Sequence, residues 1–438
     1  MYPSSIPAHK AGGAGIGVVG SRSRPDILCL SKCRDSHAAM LSLRLCLTDP
    51  ALRVAGLVMI MQGAIVCSFG PYFSTLAVNA YGFGDRGFAV LLALATLVSV
   101  SASVAGGIRA DQTAQRRQVT LSAVGSLVLG MGLMTLAPGP WVFALMAAVL
   151  LPLGSVTFGQ VFALARLAAT RHAESERDGI MAVIRALFAL PFVVVLPLWA
   201  VAFGQGVAVT AIFPVALVMA GGMLLVVQRY WPKDGATAWT DRPSGLSFTA
   251  ALAEMGRPPL ALRVLALGAV HAASTVYMAV LALVMVPEIG RGAADVALYA
   301  GLVAGLEVPF MLMLPVLTRR MDRTVLIIAG AALYAVHVVL LPVLAGTGLV
   351  WVLVLPAAMG GAVTLTVPIA YLQDLLADRP GAGASLMAVQ RLAGDVIAAL
   401  CFATGTLLAG YGTVALLAVA VSITGAAALW LADRRGGR

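Results

Sequence analysis

Apolar runs of about twenty residues recur twelve times along this chain, and that recurrence constrains its fold more than any other feature. Each run is long enough to cross the ~30 Å hydrocarbon core of a bilayer as a helix rising 1.5 Å per residue. The runs are continuous rather than alternating in short segments, which disfavours a β-barrel. Charged residues make up 11% of the 438, against about 25% in soluble domains, too few to cover a water-facing surface. A soluble enzyme or binding module is thereby excluded. We expect an all-α integral membrane protein with twelve transmembrane helices, placed at about 52–78, 87–108, 119–137, 141–168, 179–203, 207–230, 261–287, 293–317, 324–346, 349–376, 384–410 and 413–432.

The net charge of +10 invites a nucleic-acid reading, but its placement argues otherwise. Apart from the tail before the first span and Arg185 and Arg391 within spans, Lys and Arg gather on one set of alternate connections. Arg86 and Arg291 are the exceptions. Basic residues stay on the cytoplasmic side during insertion, so this asymmetry reports topology and no nucleic-acid partner. It predicts both termini in the cytoplasm and a multi-pass protein of the cytoplasmic (inner) membrane. The chain divides into a tail over 1–50, a six-helix half over 51–230, a basic cytoplasmic linker over 231–260, a second half over 261–433 and a short tail over 434–438. Residues 1–50 lack the apolar core of a signal peptide and read as a disordered tail, or as an over-long start with Met40 as initiator. Cys29, Cys33 and His37 fall short of the four ligands of a structural zinc site. The five cysteines suggest no disulfide framework.

Between spans two and three, Gly107-Ile108-Arg109-Ala110-Asp111 followed by Arg116-Arg117 resembles the loop signature of the major facilitator superfamily, with Gln112 and Ala114 departing from it. Asp111, Arg116 and Arg117, with Asp374 at the end of span ten, are expected to form a cytoplasmic gate. Three longer stretches resemble the bacterial sugar efflux transporter family of that superfamily: Gln160 to Arg166, Ala304 to Pro309, and Tyr371 to Leu376 continuing to Ala384. Ile184-Arg185-Ala186 fits the same pattern, whereas Arg391 and Asp395 do not belong to it. The resemblance implies the major facilitator fold, two six-helix halves rocking about a central site, and proton-linked export of small sugars or sugar analogues. Export of drugs or of another metabolite by the same fold is the alternative.

A charge in the bilayer costs ~2.5–3.5 kcal/mol even on insertion scales, so ionisable groups within spans are functional candidates. Glu307 stands among Gly305, Leu306 and Val308, where desolvation opposes the carboxylate form and suits a group that takes up and releases a proton. Arg391 and Asp395, four apart, share a helix face and can pair. In the superfamily fold spans eight and eleven both face the centre, which would place Glu307 beside that pair. Glu307 and Asp395 are therefore the expected proton-coupling groups. Gln62, Gln160, His271, Tyr277, Gln390 and Arg391 are the expected substrate ligands, with Phe69 and Tyr72 as stacking faces and Ser274 as a further hydroxyl. Arg185 could hold an anionic group, or snorkel to the interface. His337 is expected to be structural. No phosphate-binding loop, zinc-protease motif or nucleophile elbow is present, so no cofactor and no enzymatic activity are expected. The expected partners are a small molecule, with sugar favoured, protons and the lipid bilayer, around a monomer.

Overall fold

A computed structural model describes residues 42–233, 237, 239, 258–318, 320–375 and 380–436. The N-terminal Cys29, Cys33 and His37, most of the expected linker, and the side chains of Asp111 and Asp374 lie outside the described residues. Among the described residues there are helices and no strands. Twelve helices are long and apolar enough to cross a membrane: α1 (Pro50–Ala80), α2 (Gly84–Gly107), α3 (Arg116–Leu136), α4 (Pro140–Ala169), α5 (Gly179–Gly204), α6 (Val209–Tyr230), α7 (Pro258–Glu288), α8 (Ala293–Met311), α9 (Arg323–Leu344), α10 (Gly348–Leu372), α11 (Val389–Leu408) and α12 (Tyr411–Arg434). With twelve crossings, residues 50 and 434 lie on one face of the bundle, called here the termini face.

Local chemistry sets where these helices begin. Asp49 caps α1, its Oδ1 accepting from the Ala51 and Leu52 amides at 2.8 and 3.3 Å. Pro50 stands at the first position, where a missing N–H costs nothing. The other carboxylate oxygen of Asp49 meets Arg171 and His172 at 3.3 Å, tying α1 to the connection after α4. In the second half Asp433 serves a similar end. It accepts from Arg263 of α7 at 3.0 Å, from Tyr371 of α10 at 2.7 Å and from Thr324 of α9 at 2.5 Å.

The two halves repeat one packing plan. In the first, α1 packs on α5 and α6, and α3 on α6; in the second, α7 packs on α11 and α12, and α9 on α12. Glycine permits the closest of these approaches. A Cβ on Gly63 of α1 would strike the Phe188 carbonyl of α5, and one on Gly394 of α11 would meet the Gly268 carbonyl of α7. Small residues at such crossings let membrane helices gain dispersion contacts that lipid cannot supply. Both α1 and α7 end in a widened turn of π geometry, Leu76–Ala80 and Val284–Glu288.

The halves meet along two seams, α5 against α8 and α2 against α11. At the face opposite the termini, hydrogen bonds cross from half to half. Tyr72 donates to the Ala293 carbonyl at 2.8 Å, Ser74 to the Ala279 carbonyl at 2.6 Å, and Tyr411 to Asp85 at 2.9 Å. Phe88 of α2 lies edge-on to Phe402 of α11, 4.9 Å between centroids.

Candidate functional site

Glu307 sits in an apolar stretch of α8. Six residues after Gly301, which packs against Leu196 and Pro197 of α5, it points ~120° away from that seam. Its carboxylate therefore turns to α10, filling the space where a side chain on Gly361 would stand. Tyr277 of α7 and Tyr334 of α9 lie within electrostatic reach of it. The expectation that Glu307 stands beside Arg391 and Asp395 is not met. Among the described residues, the ion-pair partners of Asp395 are Arg391 and His271, and Glu307 forms no ion pair.

Arg391 and Asp395 do come together, Nε to Oδ2 at 3.8 Å, and His271 Nε2 approaches Asp395 Oδ1 at 3.8 Å. The shortest bond to Asp395 was not anticipated: Thr275 Oγ1 donates to Oδ1 at 2.7 Å. Thr275 follows His271 by four residues, so both reach α11 from one face of α7. His271 was expected from the sequence and Thr275 was not, and nothing in the sequence marked which α11 group that face would meet. Asp395 is thus held on the α7 side, while the Arg391 side chain is 74% exposed.

The other expected ligands divide. Gln390 is buried and its Nε2 faces the Leu267 carbonyl of α7 at 3.5 Å, a helix-to-helix contact. Tyr277 is buried in an aromatic cluster inside the second half, 4.8 Å from the His337 ring, with Tyr334 at 6.1 Å and Tyr299 at 6.5 Å. Its hydroxyl has no hydrogen-bond partner among the described residues. His337 takes a bond with Tyr299 at 3.1 Å and is fully buried. Tyr72, expected as a stacking face, instead lies edge-on to Phe203 and bridges the halves. Phe69 packs on Phe213. In the first half Gln62, Thr157 and Gln160 are buried, and each carries a side-chain oxygen with no partner among the described residues. Leaving such groups unpaired costs ~1–3 kcal/mol each, so they are poised for a hydroxyl-bearing molecule or water.

Of the expected gate residues, Arg117 donates to the Gln228 carbonyl at 2.6 Å, joining α3 to α6. The Arg116 carbonyl accepts from Thr120 at 2.8 Å. Arg185 lies over the Phe162 ring of α4, 6.0 Å from its centroid. Phe162 continues edge to face through Phe158 to Phe188.

No sequence-family profile matches the chain. A Deinococcus radiodurans protein named "Putative sugar efflux transporter" is 28% identical over 393 residues, spanning 86% of this chain and 97% of the relative. A variant of the nucleoside transporter NupG superposes with a TM-score of 0.68 at 14% identity, covering 86% of this chain and 99% of that one. The fold is that of the major facilitator superfamily. A variant of the peptide transporter POT bound to alafosfalin gives a TM-score of 0.69 at 14% identity, over 90% and 98% of the two chains. These proteins are transporters, not enzymes.

Proposed function

We propose that this protein is a proton-coupled secondary transporter that exports small sugars or sugar analogues across the cytoplasmic membrane by alternating access. Its working parts are the half over 51–230, the cytoplasmic linker over 231–260 and the half over 261–433. The observation that carries the reading is Glu307, an ionisable group in an apolar span, given room by Gly361 and without an ion-pair partner among the described residues. A carboxyl so placed is stable when protonated and costly when charged. Its protonation therefore biases which arrangement of the halves is favoured, which is what coupling requires.

The sugar assignment rests on the D. radiodurans relative and on the unpartnered oxygens of Gln62, Thr157 and Gln160. Basic residues crowd the termini face, which supports reading that face as the cytoplasmic one. The bonds from Tyr72, Ser74 and Tyr411 then close the outer end. In this scheme Asp111, Arg116, Arg117 and Asp374 act at the cytoplasmic mouth. Asp395, held by Thr275 and His271, serves as the second proton-coupling carboxylate. In reconstituted vesicles, Glu307→Gln should insert normally and still exchange sugar for sugar. It should lose sugar-dependent proton movement; retained coupling would overturn the assignment.

A further inference from the structure

The two halves carry a duplicated segment. Met181-Ala182-Val183-Ile184-Arg185 in the first is matched by Met387-Ala388-Val389-Gln390-Arg391 in the second. The start of α1, Ala51-Leu52-Arg53-Val54, is matched by Ala261-Leu262-Arg263-Val264 in α7. The packing is similar in kind: Leu187, two residues after Arg185, meets a glycine of α1, Gly56, and Ala393, two after Arg391, meets a glycine of α7, Gly268, although these glycines stand five and seven residues after Ala51 and Ala261. The equivalence extends to the membrane-facing stripe. Leu190, Val194 and Val201 are exposed 5, 9 and 16 residues after Arg185. Val396, Leu400 and Leu407 are exposed at the same offsets after Arg391.

At ~100° per residue those three offsets converge on one side of the helix, centred opposite the arginine. Both arginines are exposed, on the side away from lipid. A charge turned from the lipid in a membrane helix is expected to face water, and the helices that carry these two arginines, α5 and α11, each line a seam between the halves. Neither guanidinium is fully engaged. Arg185 has the Phe162 ring and no acidic partner among the described residues. Arg391 meets Asp395 at 3.8 Å, Nε to Oδ2, and Asp395 is already bonded by Thr275.

We propose that Arg185 and Arg391 form a two-armed anion site, one arm from each half, and that the sugar exported is an anionic one bearing a carboxylate or phosphate. Guanidinium pairs such groups bidentately. An anion held between the arms also offsets the repulsion of two cations brought together as the halves close. This inference rests on the sugar-export reading and narrows its substrate class.

Calorimetry on the purified full-length protein tests it with three probes: glucose, glucuronate and glucose 6-phosphate. The expected result is that one or both anionic sugars bind about tenfold or more tightly than glucose. Arg185→Gln and Arg391→Gln should each remove that preference, while Arg185→Lys and Arg391→Lys keep part of it. Glucuronate without glucose 6-phosphate marks a carboxylate site, and the reverse a phosphate site. Equal binding of all three overturns the arginine site and leaves sugar export standing. Binding of none overturns both readings. If a Gln variant fails to fold, the preference of the unaltered protein among the three probes still decides.

Discussion

Gly361 and Glu307 define the smallest unit on which the account depends. A Cβ at Gly361 would occupy the position of the Glu307 carboxylate. Gly361→Ala should therefore displace the carboxyl by about 1 Å and lower proton-coupled flux about ten- to a hundredfold, as for groups that act by position. The check is transport rate at matched membrane abundance, and an unaltered rate would contradict it. Glu307 itself was legible in the sequence, because a lone acid in an apolar run is conspicuous. Its neighbours were not. The rotation of α8 against α5 at Gly301 sends the carboxylate to α10 instead of α11, and rotation about a helix axis is decided by packing. Likewise Tyr277 read as a ligand from its position on α7, yet α9 supplies Tyr334 and His337 to enclose it.

The helices are held by single acids at the termini face, and these are open to test. Asp433 accepts from Arg263, Tyr371 and Thr324, gathering α7, α9, α10 and α12. Asp433→Asn removes the charge that strengthens all three bonds. It should destabilise the second half by ~1–3 kcal/mol, seen as a lower midpoint of thermal unfolding in detergent, with membrane targeting unchanged. An unchanged midpoint would show the three bonds to be dispensable. Span positions were legible within a few residues because length and hydropathy fix them. α7 begins at Pro258, slightly earlier than expected, since proline is compatible with a first helical turn. The matched segments around Arg185 and Arg391 were also present in the sequence. They become visible only when the halves are laid one on the other, since each span read alone gives no hint of its counterpart.

At the scale of the whole molecule, the halves are fastened at the face opposite the termini, so the proposed alternating access requires those fastenings to break. Tyr72→Phe with Tyr411→Phe removes two hydrogen bonds that cross between halves. The pair should shift the population toward the outward-open arrangement about five- to thirtyfold. Distances between spin labels placed across that face should lengthen; an unaltered distribution would remove these bonds from the gate. Topology and the six-plus-six division were expected from charge and spacing, while this crossing network was not. It joins residues more than two hundred positions apart, for which a single sequence holds no pairing signal. The most direct test of proton-coupled sugar export is proton flux in energised inside-out vesicles containing the protein, against empty controls. Sugars, including sugar acids, should dissipate the proton gradient with the unaltered protein and fail to do so with Glu307→Gln. A gradient dissipated by lipophilic cations and untouched by any sugar would contradict the account.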